Sequence, residues 1–529
     1  MEKYLILNTL NYPILSMLLI VPVIGAVVAM FLRGDTLLKY WSLAVTLLTA
    51  VISIPLWTCF DRTTAKYQFV ELRHWFPELN LNYVVGVDGI SVLLVLLTTF
   101  VMPLCVLCSW TYIKTRLKEF MVVMLLMETA MIGVFMSMNT VLFYIFWEGM
   151  LVPMYLIIAI WGGARKDYAS IKFFLYTFAG SIFLLVSIIA LYINTGTFFI
   201  PELMAHTYSF SFQMWVFIAC ALGFAIKIPM FPFHTWLPAA HVQAPTAGSV
   251  ILASILLKMG GYGFLRFCLP IAPAATYYCV PVLIIMSLIS IIVGGYLALG
   301  QSDIKKLIAY SSVGHMGFVT LGIFLLNDGG IKGAMLQMIN HGVTTGALFI
   351  MIGLIYERTH SREIKDNNKL GMMMPIYVTF LGIFSLSSLA FPGTNSFVGE
   401  FLVLFGAFDK YPLVGAIAIP GAILAAAYML RLLQKMVWDD SDGHVHHGDG
   451  NHHIADCNAR EVIQLAFLTI FVFWIGLHPT PLLDVMDTSV AHLIHQVDAG
   501  SVLPEAANHG EHHALLHDAG AWIKSIVSF

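Results

Sequence analysis

The 529 residues carry 59% hydrophobic and 11% charged side chains with a formal net charge of −3, whereas a soluble domain is roughly one-quarter charged. That composition excludes a water-soluble fold. A charge so close to zero gives no reason to expect nucleic acid or an acidic substrate as a partner.

Apolar windows of about 20 residues, each enough to cross a hydrocarbon core of about 30 Å, recur along the chain. The first covers 14–33 and has only Lys3 ahead of it and no small-residue cleavage site, so it reads as a retained span rather than a signal peptide. Further spans follow near 40–59, 87–110, 119–138, 141–161, 171–194, 213–241, 246–269 and 276–299. The last five lie near 305–326, 331–356, 372–408, 411–435 and 462–482. The chain therefore reads as an all-α integral membrane protein of about fourteen transmembrane helices in a lipid bilayer.

Basic loops are retained on the cytoplasmic side. Seventeen of the Lys and Arg residues, among them Lys114, Arg165, Lys305, Lys306, Arg358 and Arg362, follow odd-numbered spans, and six follow even-numbered ones. With an even span count, both termini face away from the cytoplasm.

Prolines interrupt two spans. Pro229 and Pro232 fall in the seventh, Pro392 and Gly393 in the twelfth. A proline lacks the amide that the carbonyl four residues back requires, so the carbonyls of Ala225, Ile228 and Ser388 are expected to be free acceptors. The interrupted span is the fourth member of each group of five, spans 4–8 and 9–13. A repeat of five spans must be inverted in the membrane, and paired broken helices mark transporter sites near the midplane. The organisation is then 1–118, three N-terminal spans; 119–269, a first repeat; 276–435, a second, inverted repeat; 436–461, a His/Asp-rich cytoplasmic loop; and 462–529, the last span and tail.

Cys105 and Cys108 have the spacing of a redox pair, but inside a continuous apolar helix they read as small packing hydrophobes. His444, His446, His447, His452 and His453, beside Asp442, Asp449 and Cys457, have the chemistry to bind Zn²⁺ or Ni²⁺. They lack the fixed spacing of a closed site, so a solvated loop is the expectation and no metal is assigned. In the tail, DVMDTSVAHLIHQV and AWIKSIVSF are amphipathic enough to lie along the membrane surface, with a disordered end as the alternative.

An ionisable group at mid-helix costs at least ~2.5–3.5 kcal/mol on insertion scales, which makes each one a functional candidate. The candidates are Glu128, Glu148, Lys227, Lys258 and Glu400, joined by His315 and His341. Burial weakens a lysine's hold on its proton and a nearby carboxylate restores it, so moving the partner toggles proton affinity. Working against a potential of about 150–200 mV takes ~3.5–4.6 kcal/mol per charge. That is a swing of about three pKa units at ~1.36 kcal/mol each, within the ~3–5 units that buried lysines show. The alternative reading of the charges is a set of ion pairs gluing helices together, and for the histidines a simple interhelical hydrogen bond.

The stretch PFHTWLPAAHVQAPTAGSVILASILLKMGGYGFLRF, from Pro232 to Phe267, resembles the signature shared by the antiporter-like subunits of respiratory complex I and multisubunit cation/proton antiporters. DIKKLIAYSSVGHMGF from Asp303, FYIFWEGMLVPMYLIIAIWG and FPGTNSFVGEFLVLFGAF extend the likeness over nearly all of 85–435. Glu400 is similar to the subunit M branch, since the L and N relatives carry Lys there.

This resemblance implies a bacterial inner-membrane subunit of NADH:quinone oxidoreductase that translocates protons beside L and N neighbours. It implies no redox centre in this chain, with FMN, iron–sulfur clusters and quinone in other subunits. Glu148 and Lys227 would form an input ion pair, Lys258 and His341 a central relay, and Glu400 the exit, with His315 in support. Ala239 and Gln243 stand where the family often has Asp and Glu, which bears on proton uptake. The competing function is a sodium/proton antiporter subunit without a redox partner.

Overall fold

The computed structural model describes residues 4–8, 10, 12–79, 81–438 and 455–501. Among them, twelve helices are long and apolar enough to cross a membrane. In chain order the helices begin with α1 (Ile14–Phe31), α2 (Asp35–Thr58), α3 (Val92–Cys108), which is shorter and not one of the twelve, α4 (Leu117–Met136), α5 (Thr140–Trp161) and α6 (Lys166–Thr195). The seventh span is split into α7 (Phe210–Lys227) and α8 (Trp236–Gln243). Next come α9 (Thr246–Ile271), α10 (Pro273–Leu299), α11 (Ile304–Phe324) and α12 (Asp328–Thr359). The twelfth span is split into α13 (Pro375–Ser388) and α14 (Asn395–Lys410). α15 (Pro412–Trp438), α16 (Ala459–Leu477) and α17 (Thr480–Ser501) complete the chain. Each expected span thus has a helical counterpart, and both breaks fall at the prolines.

Side-chain caps set several helix starts. Asn139 accepts from the Val141 and Leu142 amides, Asp303 from Lys305 and Lys306, and Asn327 from Gly330. Asn458 and Glu461 make a reciprocal capping box on α16. α9 and the middle of α12 are enclosed by the other helices, whereas much of α6 faces outward. α9 also contains two π turns, Leu252–Leu256 and Phe264–Cys268.

Beside the helices lies a small sheet that the span pattern did not anticipate. β1 (Leu5–Leu7) pairs parallel with β2 (Tyr67–Phe76), which pairs antiparallel with β3 (Leu81–Val87). Its inner face packs Leu5, Val70 and Val84 on Met138 and Phe199 at the ends of the bundle. The DVMDTSVAHLIHQV segment forms most of α17, burying Val485, Met486, Val490, Leu493 and Val497 against the bundle, and the Gly89 amide donates to Ser489 Oγ at 3.0 Å. The five histidines from His444 to His453, with Asp442 and Asp449, and the AWIKSIVSF segment lie outside the described residues. Cys105 and Cys108 are free and buried, with the Cys108 thiol donating to the Cys105 carbonyl at 3.3 Å.

Candidate functional site

The break between α7 and α8 places Lys227 at a helix end inside the protein. The expectation of a free carbonyl at Ala225 is corrected by the structure. Ala225 O accepts from the Met230 amide at 2.9 Å, one residue beyond the α-helical donor. Ile226 O accepts from the Trp236 indole at 2.8 Å. The Ala225 and Ile226 carbonyls are thus taken, and the Lys227 ammonium sits against soft groups. Its Nζ lies 3.4 Å from Met150 Sδ, 5.3 Å from the Trp147 ring centroid and 5.9 Å from that of Phe173.

Glu148 is half-buried on α5, where the helix is irregular at Met150. Pro153 accounts for that irregularity, because it cannot donate to the Gly149 carbonyl. Glu148 and Lys227 are not within 4.0 Å of each other, so the implied input ion pair is open. The carboxylate acts on the ammonium only at range, and its Oε1 has no hydrogen-bond partner in the protein.

α9 crosses the break of α7 closely. A Cβ on Gly260 would meet Phe224 O at 2.7 Å and Ile228 N at 2.8 Å, so only glycine permits the approach. Two residues earlier Lys258 is fully buried. The π turn ending at Leu256 brings the Ala253 carbonyl, five residues back, to its Nζ, and the ammonium also lies 2.7 Å from His341 Nδ1 on α12. π turns are frequent at functional sites, and here the extra residue supplies an acceptor that a regular helix would keep for its own amide.

From His341 the line of titratable groups continues laterally. Its ring centroid is 5.8 Å from that of His315 on α11. His315 Nδ1 lies 2.8 Å from Glu400 Oε1 on α14. Gln337 Nε2 donates to the same oxygen at 2.9 Å, and Ser388 Oγ and Tyr428 OH flank His315 Nε2 at 3.4 Å. The break between α13 and α14 is stitched to α12 by Asn340 Nδ2, which donates to Asn395 O at 2.7 Å. His341 Nε2, Gln337 Oε1, Asn340 Oδ1 and Glu400 Oε2 are buried without a protein partner. Buried polar atoms in that condition call for water, so the corridor has the chemistry of a hydrated one.

The structure therefore joins Lys258, His341, His315 and Glu400 in one line, while Lys227 and Glu148 form a separate open pair at the α7 break. Among the described residues no hydrogen bond connects Lys227 to Lys258. Glu128 stands apart. It is fully buried on α4 with neither carboxyl oxygen hydrogen-bonded, and it shares no hydrogen bond with the line.

Sequence reasoning missed His241 and Lys305. His241 is fully buried on α8, stacked on Phe349 at 4.5 Å with both ring nitrogens unpaired. Lys305 is buried at the start of α11, where it donates to Ala244 O at 2.6 Å, and both Lys305 and Lys258 act electrostatically on His241. The signal was a histidine in an apolar helix two residues from Ala239, within a motif already singled out. Gln243, in place of the family's acid, accepts the Arg165 amide at 3.0 Å and the Gly163 amide at 2.8 Å through its side-chain and backbone oxygens.

The pattern of the NADH:quinone oxidoreductase/Mrp antiporter transmembrane family matches residues 137–425. NADH-ubiquinone oxidoreductase chain 4 of Arabidopsis thaliana is 43% identical over 483 residues, 91% of this chain and 97% of that protein. NADH-quinone oxidoreductase subunit M of Rhodobacter capsulatus is 43% identical over 515 residues, 93% of this chain and 99% of that protein. A chain of respiratory complex I from Thermus thermophilus with bound NADH superimposes with a TM-score of 0.80 at 27% identity, covering 91% of this chain and 99% of that one.

Proposed function

The chain belongs to the NADH:quinone oxidoreductase/Mrp antiporter membrane family, on its subunit M/chain 4 branch, and from that premise we propose that it carries protons across the bilayer through its buried Lys, His and Glu residues. It is a multi-pass membrane-arm subunit of a quinone-reducing complex. This chain supplies the proton path, while FMN, iron–sulfur and quinone chemistry belongs to other subunits. L-type and N-type neighbours flank it in a bacterial inner membrane, and loops after even-numbered spans face away from the cytoplasm. Spans 4–8 form the uptake half and the inverted spans 9–13 the release half.

The observation that carries this reading is the line from Lys258 through His341 and His315 to Glu400. Lys305 and His241 lie at the cytoplasmic end, where a proton would enter toward Lys258. The Lys258 ammonium donates to His341 Nδ1. When that proton crosses, the imidazole becomes a cation and releases its other proton from Nε2, which no protein group occupies. The separation of the two rings is bridged by one water or a ring rotation, and Glu400 receives the proton through His315. Lys227 stores a positive charge at the α7 break. Its hold on that charge follows the distance to Glu148, which a neighbouring subunit can reach because Glu148 is only half-buried. Glu128, off the line, tunes α4 packing or serves a separate branch.

The antiporter alternative uses the same fold, but Glu400 and the identity to subunit M relatives favour the respiratory assembly. A purely structural axis makes a different prediction. Lys258→Met keeps the stem's volume and removes only the charge. Our reading expects the assembled complex to lose proton translocation, and quinone reduction with it where the two are tightly coupled. The scaffold reading expects poor assembly and normal pumping per assembled complex. Normal pumping in Lys258→Met, or in Glu148→Ala, refutes the relay.

A further inference from the structure

Eight residues beyond Lys258, on the same face of α9 and about 12 Å along it at ~1.5 Å per residue, lies a charge that the relay does not use. Arg266 is buried within the second π turn, and each side of its guanidinium is committed to protein oxygen. Nη2 donates to Asp88 Oδ1 at 2.6 Å, Nη1 to Tyr67 OH at 2.7 Å and Nε to Tyr262 OH at 3.3 Å. Asp88 precedes α3 and Tyr67 opens β2, so the outer sheet and the turn leading into α3 are both recruited to hold this one side chain. On its far side is a cavity of about 320 Å³ lined by Lys66, Tyr67, Asp88, Arg266, Ser489 and His492. On its near side, toward Lys258, is a layer of rings. Tyr262 packs against Phe135 at 5.4 Å and Phe143 at 6.5 Å, and Phe143 against Phe267 at 4.6 Å.

We propose that Arg266, pinned by Asp88, Tyr67 and Tyr262 over this aromatic layer, is a plug that denies protons a direct passage between Lys258 and the outer cavity. The inference rests on the relay proposed above and on the orientation given there. The membrane potential draws cations inward from the outer side, so a polar cavity opening toward Lys258 would discharge the gradient that the subunit builds. A guanidinium does not release its proton at accessible pH, so it cannot pass one along. A fixed positive charge also repels hydronium, as arginines do in narrow water pores. Asp88 offsets the burial cost of that charge and fixes its position. Beneath it Phe135, Phe143 and Phe267 are apolar rings, and the Tyr262 hydroxyl is already engaged, accepting from Arg266 Nε and donating to the Phe135 carbonyl at 3.3 Å. With the direct outlet closed, a proton on Lys258 has only the lateral route through His341. Arg266 is on this account a gating residue that touches no reacting group.

The test is passive proton conductance of the whole complex in proteoliposomes, measured without electron donor under an imposed potential and alongside driven pumping. Arg266→Met should raise the leak severalfold and lower the steady gradient, while Arg266→Lys, which keeps the charge, should stay tight. Adding Lys258→Met to Arg266→Met should restore tightness, because the leak must run through Lys258. An assembled Arg266→Met complex as tight as the unmodified one overturns the plug, as does a leak that persists in the double variant. Should Arg266→Met fail to assemble, Tyr67→Phe decides by the same criteria, since it removes one anchor from a strand outside the bundle. The relay and the plug fail separately: Lys258→Met alone reports on the relay, and Arg266→Met alone reports on the plug.

Discussion

Replacing Glu400 by Gln separates geometry from charge at the release end of the line. Glu400 Oε1 accepts from His315 at 2.8 Å and from Gln337 at 2.9 Å, and a glutamine carbonyl can accept both. What is lost is the ionic character of two hydrogen bonds. A hydrogen bond to a charged group contributes about 1.5–3 kcal/mol against about 1 for a neutral one, so the pair weakens by about 1–4 kcal/mol. Glu400→Ala instead leaves two buried donors unpaired at about 1–3 kcal/mol each, with a cavity in addition. Gln should therefore assemble nearer the wild-type level than Ala, yet neither can accept a proton from His315. The assay is quinone reduction and lumen acidification in the same inverted vesicles, after normalising to assembled complex. Our reasoning expects fewer protons per electron in Glu400→Gln, equal to the loss in Glu400→Ala. An unchanged ratio in Gln with a lowered ratio in Ala would show that position 400 only braces α12, and the exit role would be wrong.

Two further variants address the framework. Gly260→Ala forces a methyl onto Phe224 O and Ile228 N, and should destabilise the subunit by about 1–3 kcal/mol. Gly382→Ala, with nothing within 4 Å of the new Cβ, should leave the thermal midpoint of the assembled complex unchanged or higher. Equal midpoints for the two alanines would contradict the close crossing of α9 over the α7 break. Glu461→Ala removes both the capping box of α16 and the 2.6 Å pair with Arg358. It should cost about 3–5 kcal/mol for the broken pair and lower the abundance of assembled complex on native gels, with protons per electron preserved in what remains.

The parts legible in the sequence are those that local chemistry dictates. Apolar windows gave the spans, and Pro229 and Pro392 gave the two breaks, because a missing amide acts on its own helix. Insertion cost singled out the seven charged and histidine candidates one by one. Which of them meet was not legible. His315 and Glu400 are 85 positions apart, and only the crossing of α11, α12 and α14 makes them partners. The π turns left no trace because α9 is buried all round, so it has no solvent-facing stripe whose period a π turn would visibly shift. The sheet was hidden for a similar reason, as β1 and β2 lie some sixty residues apart and the search for spans passes over their loop. The carbonyl of Ala225 shows the limit of arguing from a single helix: the missing donor was real, and the next residue along supplied another.

α12 carries Gln337, Asn340, His341 and Thr344 at helical spacing on one face, and between Gly333 and Ile355 every residue of it is buried. Such a segment is poorly suited to rest alone in hydrocarbon during synthesis, since nothing in lipid answers its amides and imidazole. Its stable residence in the bilayer depends on α11, α14 and α9 closing round it, and two of those helices are themselves enclosed or interrupted. Biogenesis of this subunit is accordingly a matter of concerted insertion, with the most hydrophilic span admitted only as its companions arrive.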